Sequence, residues 1–127
     1  MDRIKFTTDL FLVGAPRAEK IRECRVGFAD SVFPYAYLVA KFFEIPATGA
    51  LLLADDTVSE PLNRLGFIAG RHYVPVSQKN LKSQIEYVLS EKNHDELDQI
   101  RRNGYALVHQ QHQTSDRARF INAVCAA

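Results

Sequence analysis

Cysteine is scarce in this chain of 127 residues: there are two, Cys24 and Cys125, with no metal-type spacing. That excludes a disulfide framework and a cysteine-based metal centre, and it suits a reduced compartment, so a cytoplasmic location is expected. An excess of either charge is also missing, with 16 Lys+Arg against 15 Asp+Glu and a net charge of +1. Nonspecific nucleic-acid binding, which needs a basic surplus, is not expected. The basic cluster Arg17, Lys20, Arg22 and Arg25 is interleaved with Glu19 and Glu23. The opening MDRIKFTTD carries charge from its second residue and does not read as a signal peptide. The best apolar run is interrupted by Lys41 and Glu44, so no membrane span is expected. Repeats, linkers and low-complexity tracts are absent, and the length suits a single domain over residues 1–127 with one core.

What the sequence does have is the stretch Phe33 to Asp56, FPYAYLVAKFFEIPATGALLLADD. From Tyr35 to Ile45 it is apolar nearly all round a helix, which predicts a buried helix. Pro46 is expected to stop it, because the residue before a proline is pushed out of the α region. Tyr37, Lys41 and Glu44 share one side of that helix. Gly49 then turns the chain into Ala50–Ala54, an apolar run ended by Asp55-Asp56, which reads as a central strand covered on both faces.

The remaining segments alternate around it. Leu10–Val13 reads as a first buried strand, and Gly14-Ala15-Pro16 as the turn into a helix from Pro16 to Glu23. Arg25–Phe28 is a weaker second strand, followed by Asp30 or Ser31 as a helix cap. Thr57 or Ser59 caps a short helix through Leu65, with Gly66 placed to end it. His72–Val76 is a further strand, at an edge because of Pro75. Beyond Asn80 the chain is helical. One stripe is Leu81, Ile85, Val88 and Leu89; a second is Leu97, Ile100, Gly104, Leu107 and Val108, opened by an Asn93/Glu96 capping box. Gly104, costly inside a helix, implies a close packing contact. A last helix, capped by Thr114 or Ser115, carries Ala118, Ile121, Val124 and Cys125. The expected fold is an α/β sandwich with a mainly parallel sheet of about four strands and closing C-terminal helices.

Ligands of open α/β sheets lie beyond the carboxyl ends of the strands. The loop Gly14-Ala15-Pro16-Arg17 and the segment after Asp30 are such ends, and Arg17 and Lys20 would favour an anion there. A turn glycine beside solvated basic residues fits the same letters. The Lys41/Glu44 pair is badly ordered for stabilising its helix, since lysine precedes glutamate and the glutamate falls at the expected negative end of the dipole. A ligand, or a salt bridge at the sheet margin, explains it equally. Asp55-Asp56 reads as a cap rather than a metal site. His109 and His112 share a helix face without a third ligand nearby, so no metal is expected. His72, next to Tyr73, reads either as a donor contact or as an ordinary edge-strand histidine.

KFFEIPATGALLLADD, followed by GRHYVPVSQKNLKSQIEYVL and NGYALVHQQHQTSDRARFINAV, resembles the C-terminal lobe of GT-B glycosyltransferases of the group-1 style. The likeness covers Ser31 to Val124 and is strongest from Lys41 to Asp56. It implies a Rossmann-like lobe that binds a nucleotide-sugar donor and needs no cofactor. Transfer of a hexosyl or pentosyl group would go to a glycan or other acceptor. By that likeness Glu44 holds the ribose hydroxyls, while Gly14, Arg17, Lys20 and Lys41 serve the diphosphate, with Tyr37, His72 and Tyr73 nearby. The acceptor lobe of the family has no counterpart, so a partner lobe or a homo-oligomer is expected. Where many of these enzymes carry a second glutamate the chain has Ala36, which keeps open a non-catalytic module that binds nucleotide or protein.

Overall fold

The computed structural model describes residues 15–31 and 34–126. The expected strand Leu10–Val13 and the turn at Gly14 lie outside them. Helix α1 spans Ala15–Arg22, strand β1 Val26–Ala29, helix α2 Lys41–Ala47 and strand β2 Leu51–Asp55. A 3-10 turn at Asp56–Val58 leads into α3, Ser59–Arg64, and then β3, Val74–Val76. Three helices follow: α4 at Leu81–Leu89, α5 at His94–Gln111 and α6 at Thr114–Cys125. The fold is the expected α/β sandwich, with three described strands in the order β1-β2-β3, parallel throughout. Val26 pairs in register with Leu51 and Ala29 with Ala54, while Leu53 pairs with Val74 and Asp55 with Val76.

Strand β2 is central and buried, and period-two alternation divides its side chains between two cores. Leu52 and Ala54, with the preceding Ala50, join Phe42, Ile45, Leu62, Phe67 and Tyr73 on one face. Leu51 and Leu53 join Val74, Val76 and Val88 on the other. Helix α5 serves both layers. Its Leu97 and Ile100 belong to the second core and its Leu107 and Val108 to the first, so the helix crosses the amino edge of the sheet. Arg101 Nη1 donates to the Gly49 carbonyl just ahead of β2, at 2.9 Å. The crossing is close. A Cβ built on Gly104 would stand 2.6 Å from the His72 carbonyl oxygen and 3.5 Å from Pro46 Cβ.

Several local expectations are corrected. The central helix begins at Lys41, not Tyr35, and Tyr35–Val39 is irregular. Aromatic and β-branched side chains lose rotamer freedom in a helix, and here Leu38 and Val39 reach the core without one. Pro46 lies inside α2, which ends one residue later. Termination comes from Gly49, at φ +87°, whose N–H donates to the Pro46 carbonyl at 3.0 Å. Asn93 precedes α5 but gives no side-chain cap; its amide donates to the Tyr87 carbonyl at 3.0 Å. The capping box belongs instead to Gln113 and Asp116 at the start of α6. The α4 stripe buries Val88 alone, leaving Leu81, Ile85 and Leu89 exposed, and α6 has no buried residue. Pro75 does lie on an edge strand, and the α5 stripe is buried as expected.

Gly104→Ala sets two effects against each other. Alanine gains about 1 kcal/mol in helix propensity, whereas overpacking against a fixed backbone carbonyl costs roughly 1–3 kcal/mol. Because the obstructing atom is backbone, the clash prevails: the variant melts below the wild type in a thermal scan, by up to several degrees. A higher melting temperature would show that α5 does not press on His72.

Candidate functional site

The strands are parallel, so their carboxyl ends share one end of the sheet. Asp30 directly follows β1, and the first turn of α2 returns to the same end. Lys41 and Glu44 both lie in that turn, yet they do not pair with each other. Lys41 bonds Asp30 across the loop, and that bond holds the Asp30 carboxyl below its usual range against the opposing effect of burial. Glu44 faces Arg17 of α1, whose guanidinium stands 2.9 Å from Oε2. The position of Glu44 corrects the dipole reading: an acidic residue in a first turn is favourably placed.

Glu44 carries the most informative detail. Its Oε2 is shielded from solvent and accepts no hydrogen bond among the described residues. The Arg17 contact satisfies charge by proximity, but the N–H bonds are not aligned on that oxygen. A buried acceptor without an aligned donor is uncommon and costs free energy. Beside this cluster, Ser31 Oγ and Thr57 Oγ1 stand 2.9 Å apart, joining the loop after β1 to the turn after β2. Asp55 Oδ1 accepts the Thr57 N–H at 3.1 Å, so the Asp55-Asp56 pair does cap the turn.

Four of the residues singled out by sequence fall at this end: Arg17, Lys41, Glu44 and Tyr37. Tyr37 lies in the irregular segment entering α2, half exposed. Lys20 is one turn further along α1, where it pairs with Glu23 at 3.3 Å. Gly14 lies outside the described residues. His72 and Tyr73 are not brought to the cluster. They precede β3, and a residue before a parallel strand sits at the amino end of the sheet. Tyr73 is 1% exposed and donates its hydroxyl to Ser59 Oγ at 3.3 Å, a core role. His72 Nδ1 accepts the Ile68 N–H at 2.9 Å. Asp30, read from sequence as a helix cap, is the partner of Lys41; its place immediately beyond a strand was the available signal.

A family model described as glycosyl transferase-like matches residues 14–123, a span that includes Arg17, Asp30, Lys41 and Glu44. Neither a curated protein nor a solved structure matches the chain.

The histidines hold structure. Among the described residues no group of three His, Cys, Asp or Glu side chains could hold a metal ion. His109 Nε2 meets the Ala47 carbonyl at 3.0 Å and His112 Nε2 the Leu65 carbonyl at 2.8 Å. The His112 ring lies nearly parallel to Phe67, and its Nδ1 accepts from Arg117 at 2.7 Å. Burial lowers the His112 pKa, with Arg117 adding to the effect; the Leu65 carbonyl and Asp116 oppose it. Burial, then Arg71, lowers His72 in the same direction. For groups lowered on folding, the unfolded chain binds more protons, so stability rises with pH. This stabilisation is complete above the ordinary histidine value of about 6.5 and is lost as pH falls through the depressed folded-state values. His112→Gln therefore shows a shallower fall in melting temperature between neutral and mildly acidic pH than the wild type. Parallel curves would remove His112 from the titrating set.

Proposed function

The chain belongs to the glycosyl transferase-like family, and from that premise we propose that it is a donor-binding lobe. In this reading residues 1–127 form one domain that takes a nucleoside-diphosphate sugar, and a sugar passes from it to an acceptor presented by a second lobe or a second copy. The observation that carries the reading is Glu44 Oε2, a shielded atom on a half-exposed side chain at the carboxyl end of the sheet, which lacks an aligned donor among the described residues. Ribose hydroxyls supply the donors that oxygen lacks. Arg17, half exposed and held to Glu44 by a contact that contributes about 0–1 kcal/mol for an exposed pair, is free to turn to the diphosphate. Lys41 completes the phosphate side, while Tyr37 offers a ring at the entrance.

Chemically, transfer breaks the bond from the sugar's anomeric carbon to the diphosphate, and negative charge grows on the departing oxygen. Fixed cations aimed at that oxygen stabilise the transition state more than the ground state. Arg17 and Lys41 are suited to this role, and the general base or nucleophile of the reaction would come from the acceptor side. Ala36 favours a second reading, a module that binds a nucleoside diphosphate without turnover; a donor-hydrolysis assay on the purified chain separates it from a working lobe.

Glu44→Gln tests the assignment. The substitution keeps the shape but removes the charge from bonds that contribute about 1.5–3 kcal/mol each. Calorimetric titration with a nucleoside diphosphate should show at least about a tenfold loss of affinity, the equivalent of about 1.4 kcal/mol, with little change in melting temperature. If Glu44 were only the partner of Arg17, the melting temperature would fall and the affinity would hold.

A further inference from the structure

At the opposite end of the sheet is a cavity of about 390 Å³ that the donor reading leaves unused. Its floor is apolar, formed by Val26 and Leu51 at the amino ends of β1 and β2 with Val88 and Leu97 from the helices beneath. Its rim is basic, with Arg22, Arg25 and Arg101 against one carboxylate, Asp98. This lies toward the lower end of the size range in which small ligands are held.

The guanidinium groups of Arg25 and Arg101 are held in a way that preserves their charge for a ligand. Arg25 Nη2 donates to His94 Nδ1 at 2.7 Å. A guanidinium can only donate, so the imidazole acts as acceptor and fixes Arg25 without bringing a negative charge. The nearest carboxylate to Arg25, Glu91, is 3.8 Å away and itself 86% exposed, a weak pairing. Arg101 is steadied by the Gly49 carbonyl at 2.9 Å and by Asp98. Asp98 is shared with Arg102, so it does not cancel the rim's charge. Arg22 makes no ion pair among the described residues. An apolar floor beneath two oriented guanidiniums and a third that makes no ion pair among the described residues suits an anion with an apolar body. A phosphate oxygen pair fits the planar fork better than a point charge would.

We propose that this cavity is a second ligand site, for an organic phosphate monoester whose phosphate bridges Arg22 and Arg25 and whose apolar part lies on Val26, Leu51 and Leu97. The site is independent of the donor reading, since it sits at the other end of the strands from Glu44.

The cavity contains its own reporter. Cys24 lines it and is exposed, with Sγ 3.4 Å from the Lys20 carbonyl. In Cys125→Ser protein, where Cys24 is the remaining thiol, alkylation by iodoacetamide is followed with increasing phenyl phosphate, inorganic phosphate or benzoate. Phenyl phosphate should slow alkylation saturably and at lower concentration than either comparator, since inorganic phosphate lacks the apolar part and benzoate the dianion. Arg22→Gln and Arg25→Gln, checked for an unchanged melting temperature, should each raise the concentration required about tenfold, the equivalent of about 1.4 kcal/mol. Glu44→Gln should leave the protection intact even if it abolishes nucleotide binding. Alkylation unaffected by phenyl phosphate at millimolar concentration overturns the proposal. So does equal protection by benzoate, or protection that survives both arginine substitutions or disappears with Glu44→Gln.

Discussion

Strand β2 must be covered on both faces, and most of the architecture follows from that requirement. Its residues Leu51, Leu52, Leu53 and Ala54 are each at most 4% exposed, and fully burying one leucine contributes about 1.5–3 kcal/mol. A sheet with one open face would forfeit half of that. Helices α2 and α3 therefore cover one face and α4 the other, while α5 reaches both by passing beneath the amino edge. That passage is possible because position 104 has no side chain. With α5 fixed there, a helix borders the amino end of the sheet, and the carboxyl end is left to the segment after β1 and the first turn of α2, which is where Asp30, Lys41 and Glu44 stand.

The parts of this arrangement that sequence made legible are those with a boundary or a period. The ALLLA run was bracketed by Gly49 and two aspartates, and β2 lies one residue along from it, at Leu51–Asp55. The α5 stripe repeated over three turns, and every member is buried. The onset of α2 had no such mark, because a segment apolar on all sides has no face whose period could date its first turn. The α4 stripe was periodic but misleading. Amphipathicity states that a helix has an apolar side, not that a neighbour covers it, and Leu81, Ile85 and Leu89 remain uncovered among the described residues. Capping patterns failed in a similar way: Asn93 donates its amide to the Tyr87 carbonyl and accepts nothing from α5, and an unremarked Gln113 formed the box.

At the candidate site, sequence marked Lys41 and Glu44 as badly ordered for pairing with each other but could not name the partners the structure gives them. Lys41 and Glu44 are close in the chain, and helical spacing invited a pairing. The shorter distances turned out to run across elements, from Lys41 to the loop after β1 and from Glu44 to α1. Local spacing carries no information about such contacts. His72 and Tyr73 illustrate a different limit. Composition could place them beside a strand, but whether they lie at its ligand end depends on strand direction, and in a parallel sheet the residues before a strand face away from that end.

Arg17 and Lys41 at one end of the sheet and Arg25 at the other are held by different means, and for the two proposed sites that difference bears on what each would bind. At the carboxyl end Arg17 and Lys41 are each matched by a carboxylate, so an incoming anion must exchange one partner for another. Such an exchange is cheap for half-exposed pairs, and on the donor-binding reading it is balanced, because the ligand's ribose hydroxyls bond the carboxylate that its diphosphate releases. On the same reading a simple anion brings no such donors and would leave Glu44 uncompensated, so the proposed donor site would select for a ligand that carries hydroxyls and phosphate together. At the amino end Arg25 is oriented by an imidazole acceptor and keeps its charge. There an anion need bring nothing but its own oxygens, and selectivity has to come from the apolar floor beneath it. If both proposed sites hold, one fold presents two anion-facing surfaces whose discrimination rests on different devices, partner exchange at one end and a preset charge above a greasy floor at the other.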